Sequence, residues 1–126
     1  MRDLLTEIVN QSAPPEASEW LRKQLAEQDS SFRKHPFYYA FSGVSRHFPR
    51  RGGLVITPEQ SERLGAQAAG LSLAQWDVFR LARVLLLLAL ARQEKSVFLE
   101  TITALLNTAD LREQTAIFSA YPLLPH

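Results

Sequence analysis

The longest apolar segment of the chain lies within residues 72–93, which read SLAQWDVFRLARVLLLLALARQ. Its core, Val84 to Ala91, contains only valine, leucine and alanine, and the latter two are strong helix formers. Apolar side chains occupy every face of such a helix, and a helix of this kind is buried by its neighbours. Ser72, followed three residues later by Gln75, has the pattern of a capping box. The pattern therefore predicts a central buried helix that begins at Ser72.

Six further helices are predicted where apolar residues recur every three or four positions. They lie in residues 2–12, 16–28, 32–48, 57–70, 96–109 and 110–121. Side-chain caps are predicted at Asp29–Ser31, Thr57, Ser96 and Asp110. The caps at Thr57 and Asp110 are capping boxes, because a Gln or Glu follows each of them by three residues. Pro36 predicts a kink or a restart of the third helix, and Gly70 predicts a left-handed end to the fourth.

These elements define an all-α fold class. Strand-like alternation is confined to Leu54–Ile56, and the connections between helices are short, which favours antiparallel neighbours. We predict an antiparallel helical bundle, or a short α-solenoid, of about six to seven helices around the central apolar helix. The chain has 126 residues, near the commonest size of one domain, so residues 1–126 are predicted to form a single helical domain.

Composition narrows the classes of function. The 14 Lys and Arg residues and 13 Asp and Glu residues give a formal net charge of +1, so we expect no nucleic-acid partner. The apolar core between Arg83 and Arg92 is far shorter than the ~20 residues that a membrane-spanning helix needs, so we expect no membrane insertion. A chain without cysteine and without a secretory signal fits a soluble, cytoplasmic protein.

Signatures of an enzyme or of a metal site are absent from the sequence. The three histidines, His35, His47 and His126, lack the spacing of metal ligands. No nucleophile elbow, metalloprotease motif or paired-carboxylate pattern is present. We therefore assign no catalytic residue, no metal and no cofactor, and we consider an enzyme the less favoured class.

Two short basic runs, Arg33–His35 and Arg46–Arg51, lie on either side of an aromatic segment. One interpretation is a cationic, aromatic-flanked patch for a phosphate, an RNA strand or an acidic metabolite. The other is a solvated helix face whose aromatic side is buried. Phe37, Phe41 and Phe48 have helical spacing, which favours the second interpretation.

Asp77, Arg80 and Arg83 are spaced by three residues along one edge of the central helix. Asp77 and Arg80 are close enough to pair. Arg83 lies beside the apolar core, where a charged group needs a partner. Three interpretations remain open for Arg83. It forms a structural ion pair with another helix, it lays its stem on the core with its head in water, or it lines a pocket for an anionic or aromatic ligand.

Several segments also match a known family. They are Trp76-Asp77 through Ala82-Arg83 into VLLLLALA, the junction Thr108-Ala109-Asp110 and the ending Tyr121–His126. In their order and spacing they resemble the EboA family of metabolite-traffic proteins. The resemblance implies a cytoplasmic, non-enzymatic component of secondary-metabolite precursor trafficking or export, which acts as a binding or adaptor protein.

The resemblance also implies partners. These are the other proteins of the same metabolite-traffic cluster and a hydrophobic or aromatic small molecule held between helices. The candidate ligand-binding residues are Asp77, Arg80, Arg83 and Asp110. The alternative function is a helical-repeat scaffold for protein–protein interaction, with no small-molecule ligand.

The C-terminal segment carries a further expectation. EboA-like chains are expected to continue past it, so this chain is expected to be either the N-terminal part of a longer EboA-like domain or a short version of one. In the first case Ile117, Phe118 and Tyr121 would expose an apolar face on the last helix. Such a face predicts contact with a partner protein or a homo-oligomer.

Overall fold

Seven α-helices and one short 3₁₀ turn make up the described part of the chain. The computed structural model describes residues 1–48, 53–68, 71–73 and 75–124. The helices are α1 (Arg2–Ser12), α2 (Pro15–Ser30), α3 (Lys34–His47), α4 (Pro58–Gln67), α5 (Val78–Leu90), α6 (Lys95–Thr108) and α7 (Leu111–Ala120), and the 3₁₀ turn is Tyr121–Leu123. Within these ranges, β structure is limited to one isolated antiparallel bridge between Gly53 and Asp77. The predicted all-α class is confirmed, and the strand-like segment Leu54–Ile56 forms no strand.

The apolar helix α5 lies at the centre of the fold. All its residues are buried except Arg80 and Leu88, which are half-buried. It packs against α1, α2, α3 and α7, so helices from both ends of the chain cover it. Burying one leucine side chain stabilises the folded state by roughly 2 kcal/mol, so the leucines of α5 supply a large share of the hydrophobic stabilisation. Neither α5 nor any other helix in the described ranges combines the length and hydropathy needed to cross a bilayer.

Helix α5 begins later than the sequence predicts. The predicted start at Ser72 is wrong, because Asp77 is the N-cap and its carboxylate accepts a hydrogen bond of 2.8 Å from the backbone N–H of Arg80. Ahead of it, the backbone N–H of Trp76 donates to the carbonyl of Leu73 in a turn, and both side chains are buried. Aspartate and serine cap helices about equally well, so the burial of these two side chains decides in favour of the later start.

The two predicted capping boxes that start α4 and α7 are confirmed. Thr57 accepts a hydrogen bond from the backbone N–H of Gln60 at 3.2 Å, and the Gln60 side chain accepts one from the backbone N–H of Thr57 at 3.0 Å. Asp110 and Glu113 make the same reciprocal pair at 2.8 and 3.0 Å. Each box satisfies two backbone donors that the helix leaves without internal partners.

Two other predicted caps are wrong. Asp29 and Ser30, of the predicted cap Asp29–Ser31, lie inside α2, and Ser96 lies inside α6, so the N-caps of α3 and α6 are Arg33 and Glu94. Helix α2 continues through the buried Gln28 to Ser30. Serine is tolerated in the first turn of a helix, so Ser96 does not have to be the cap.

The predictions made from Pro36 and Gly70 concern the start of α3 and the end of α4. Pro36 lies in the first turn of α3, which begins at Lys34 and continues without interruption to His47, so the predicted restart at Pro36 is wrong. A proline is tolerated in the first turn of a helix, where the backbone N–H has no partner within the helix. Helix α4 ends at Gln67, and its predicted end at Gly70 lies outside the described residues. Other predicted features outside the described residues are the basic pair Arg50-Arg51 and the final residues Pro125 and His126.

Contacts between side chains show that the first three helices alternate in direction. Arg2 at the start of α1 forms an ion pair of 2.7 Å with Asp29 near the end of α2. Trp20, in the first half of α2, stacks on His47 at the end of α3. Consecutive helices are therefore antiparallel here, as the short connections predict.

Helices α5 and α7 pack against each other, although α6 separates them in the chain. Arg80, near the start of α5, bonds to Ser119 of α7. Leu88, near the end of α5, and Leu123, just beyond α7, line the same groove. This packing brings the first turns of α5 beside α7.

Helix α7 has one buried and one exposed apolar side. Ile117 is buried, contrary to the expectation that it would contribute to an exposed face. Leu111, Phe118 and Tyr121 are 78 %, 56 % and 44 % exposed, and we call them the α7 apolar surface. The rings of Phe118 and Tyr121 meet edge to face with centroids 5.6 Å apart.

Candidate functional site

A cleft between the first turns of α5 and the side of α7 contains most of the candidate binding residues. Its volume is about 150 Å³, and its lining residues are Gln75, Asp77, Phe79, Arg80, Arg83, Arg112 and Thr115. We call it the arginine cleft. Three of the four candidates from the sequence, Asp77, Arg80 and Arg83, therefore lie together.

Arg80 is held in place by an aromatic ring and a hydroxyl group. Its guanidinium carbon lies 4.8 Å from the centre of the Trp76 ring, a cation–π contact, and its Nε donates to Ser119 Oγ at 2.7 Å. Burial lowers the pKa of Arg80 from its ordinary value, and the nearby Asp77 carboxylate opposes that change. An arginine stays charged in spite of such a shift. The direction of the shift indicates a cation that has lost water and that a neighbouring anion would stabilise.

Arg83 is buried, with 4 % of its surface exposed. Its Nε donates to the carbonyl oxygen of Phe41 in α3 at 3.0 Å, and its guanidinium carbon lies 5.8 Å from the centre of the Phe41 ring. Arg83 therefore ties α5 to α3. The interpretation that places its head in water is wrong, because the surrounding helices cover the side chain. The structural ion pair and the ligand contact stay predictions.

The two candidate aspartates are both helix N-caps. Asp77 caps α5 at the cleft, through its bond to the backbone N–H of Arg80. Asp110 caps α7 through its bond to the backbone N–H of Glu113, and it is not among the described residues that line the cleft. Asp110 lies two residues before Arg112, so it influences the cleft by fixing where α7 begins.

Arg112 and Thr115 are the lining residues that sequence reasoning missed. Both lie on α7 and are exposed. They come close to Arg80 only because α7 packs against α5. Their spacing of three residues places them on the same face of a helix, and that is the one local signal in the sequence.

The aromatic segment between the two basic runs belongs to the core. Phe37, Phe41 and Phe48 are buried. Lys34 forms an ion pair with Glu100 of α6, and the ring of His47 stacks on Trp20 with centroids 4.1 Å apart. For the described residues, these contacts support a solvated helix face with a buried aromatic side, rather than a ligand-binding patch.

Two larger grooves are less suited to a charged ligand. One, of about 390 Å³, lies between α1 and α2 and includes Val9 and Leu21 in its lining. The other, of about 260 Å³, includes Arg2 and Arg92, but Asp29 pairs with both of these arginines. Across the ranges that the structure describes, no cluster of histidine and carboxylate side chains is arranged to hold a metal ion. The arginine cleft is therefore the candidate site.

Comparison with known proteins assigns the family. Neither the curated proteins nor the solved structures give a match. A family model described as metabolite traffic protein EboA matches residues 1–126, which is the whole chain. This match agrees with the resemblance based on Asp77, Arg83 and the Thr108–Asp110 junction. The chain therefore belongs to the EboA family of metabolite traffic proteins.

Proposed function

We propose that the protein takes part in metabolite traffic as a non-enzymatic binding component, which holds a small molecule in the arginine cleft. The observation that carries the proposal is the meeting of Arg80, Arg83 and Arg112 at one concavity of about 150 Å³. Guanidinium groups gathered at a concave surface are typical of sites that bind a ligand. The family description supplies the wider role, metabolite traffic.

The chemistry of the cleft supports binding rather than catalysis. Among its described lining residues, Asp77 is the only carboxylate and Thr115 the only hydroxyl group. The Asp77 carboxylate already accepts the backbone N–H of Arg80, so it is occupied as a helix cap. A nucleophile beside a general base, the usual core of a hydrolytic or transfer site, is not formed by these lining residues.

The α7 apolar surface supports contact with a second protein. Leu111 and Phe118 on α7, and Tyr121 directly after it, expose large apolar side chains, and α7 also carries Arg112. We propose that a bound metabolite is passed on in the cytoplasm to other proteins of the same traffic system, with this surface as the contact. The alternative, a scaffold without a small ligand or a homo-oligomer through α7, uses the same surface.

Native mass spectrometry of protein purified from its own host tests the binding role. We expect a small molecule to be retained by the wild type and lost from Arg80→Gln. Arg63→Gln is the matched control, because Arg63 pairs with Glu7 at 2.9 Å on the α1–α4 side of the molecule, away from the cleft. Wild-type protein that carries no small molecule and co-purifies with a partner protein would instead establish the scaffold.

A further inference from the structure

We propose that the arginine cleft selects a small organic acid, whose carboxylate binds between Arg80 and Arg112 and whose body of about one ring packs against Phe79. This inference rests on the proposed binding function and names the class of ligand. It also gives Arg112 a direct role in recognition. Three observations carry the inference: the charge of the lining, the geometry of the donors and the size of the cleft.

The lining of the cleft has an excess of positive charge. Among the described lining residues, Arg80, Arg83 and Arg112 contribute three cations, and Asp77 contributes one anion. The formal charge of the lining is therefore positive, although the whole chain has a net charge of only +1. Since like charges close together repel, an anion that enters the cleft lowers the electrostatic energy of the site.

The guanidinium groups of Arg80 and Arg112 have N–H donors that bond to no described residue. The Nε of Arg80 is bonded to Ser119, and the structure shows no partner among the described residues for its two terminal nitrogens. The guanidinium of Arg112 likewise has no ion-pair partner in the described ranges. Arg83 differs, because it is buried and bonded to the Phe41 carbonyl, so it adds positive potential from behind the site.

The geometry suits a planar anion. The guanidinium of Arg80 is planar through its own electron delocalisation, and its central carbon lies 4.8 Å from the centre of the Trp76 ring while its Nε is bonded to Ser119. Paired N–H donors of a guanidinium match the two oxygens of a carboxylate, and such charge-assisted hydrogen bonds are stronger than neutral ones.

Size and shape limit the rest of the ligand. An apolar cavity of about 150 Å³ is large enough to hold benzene, and the cleft has a similar volume. The ring of Phe79 gives it one apolar wall. A one-ring acid would fill such a space, whereas inorganic phosphate would leave the apolar wall uncovered.

Isothermal titration calorimetry with three probes tests the inference. The probes are benzoate, benzyl alcohol and inorganic phosphate, and the proteins are wild type, Arg112→Gln and the control Arg63→Gln. We expect benzoate to bind the wild type at least about tenfold more tightly than either other probe, because only benzoate combines the anion with the ring. We expect Arg112→Gln to weaken benzoate by about tenfold with its melting temperature unchanged, and Arg63→Gln to bind as the wild type does.

Each contrary result overturns a defined part of the inference. If benzyl alcohol binds as tightly as benzoate, or if Arg112→Gln leaves the affinity for benzoate unchanged, the proposed contact between Arg112 and a carboxylate is refuted. If phosphate binds as tightly as benzoate, the proposed contribution of an organic ring to binding is refuted. Folded wild type that ignores benzoate would refute the inference as a whole. The proposed binding function has its own separate readout, the small molecule retained in native mass spectrometry.

Discussion

The substitution Leu86→Ala tests whether α5 is the core of the fold. Leu86 is 0 % exposed in the middle of this helix. The substitution removes three carbon atoms, which corresponds to about 2.4 kcal/mol at about 0.8 kcal/mol for each buried methylene. Neighbouring side chains fill the resulting space only in part, and the remaining cavity raises the expected loss to roughly 3–5 kcal/mol.

This loss is large relative to the total stability of a small domain. Domains of ordinary stability unfold with a free energy of about 5–15 kcal/mol, so the variant should lose a substantial share of it. For a chain of this size, we expect the melting temperature to fall by roughly 10–20 °C. Urea denaturation followed by far-ultraviolet circular dichroism measures the free energy, and thermal melting gives the second value.

The control is Leu111→Ala, which makes the same chemical change on an exposed residue. Leu111 is 78 % exposed at the start of α7, so its replacement should change the free energy of unfolding by less than about 0.5 kcal/mol. Leucine and alanine both favour helix, so helix propensity contributes little to either variant. A Leu86→Ala variant that loses no more than Leu111→Ala would refute the central position of α5.

Three further predictions concern a cap, an ion pair and a buried arginine. Thr57→Ala should cost about 1 kcal/mol in urea denaturation, because it removes the capping box of α4, whereas Ser61→Ala on the exposed side of α4 should cost little. The hydrogen bond from Arg63 lowers the pKa of Glu7 below its ordinary value of 4.5. The stabilisation by this pair is therefore complete above about pH 4.5 and is lost at lower pH, so melting temperatures of wild type and Glu7→Gln should converge in acid; curves that stay parallel would contradict this. Arg83→Ala should be less stable than Arg83→Met, since methionine keeps the volume of the aliphatic stem, and equal melting temperatures would show that the stem does not contribute.

The existence of α5 could be predicted from the sequence, but its first residue could not. An uninterrupted apolar segment is stable in water only where other elements cover it, so its central place follows from composition. Ser72 and Asp77 are both good caps, and local rules do not choose between them. The choice depends on the burial of Leu73 and Trp76, which is a property of the whole fold.

The candidate site was predictable on one helix only. Asp77, Arg80 and Arg83 share an edge because of the period of an α-helix, so their proximity follows from spacing alone. Arg112 lies at the same cleft because α7 packs against α5, although α6 separates these two helices in the sequence. No local pattern in the sequence encodes which distant helices become neighbours. The same reasoning applies to Ser119, because no sequence motif predicts its hydrogen bond with Arg80.

The place of α5 in the chain matters for synthesis on the ribosome. Three of the helices that cover it, α1, α2 and α3, precede it in the sequence and so emerge first. When the apolar segment of α5 is synthesised, the helices α1, α2 and α3 are therefore already available to cover it. The side that α7 covers stays open until α7 has been synthesised. The order of the helices thus limits how long the nascent polypeptide is prone to aggregate.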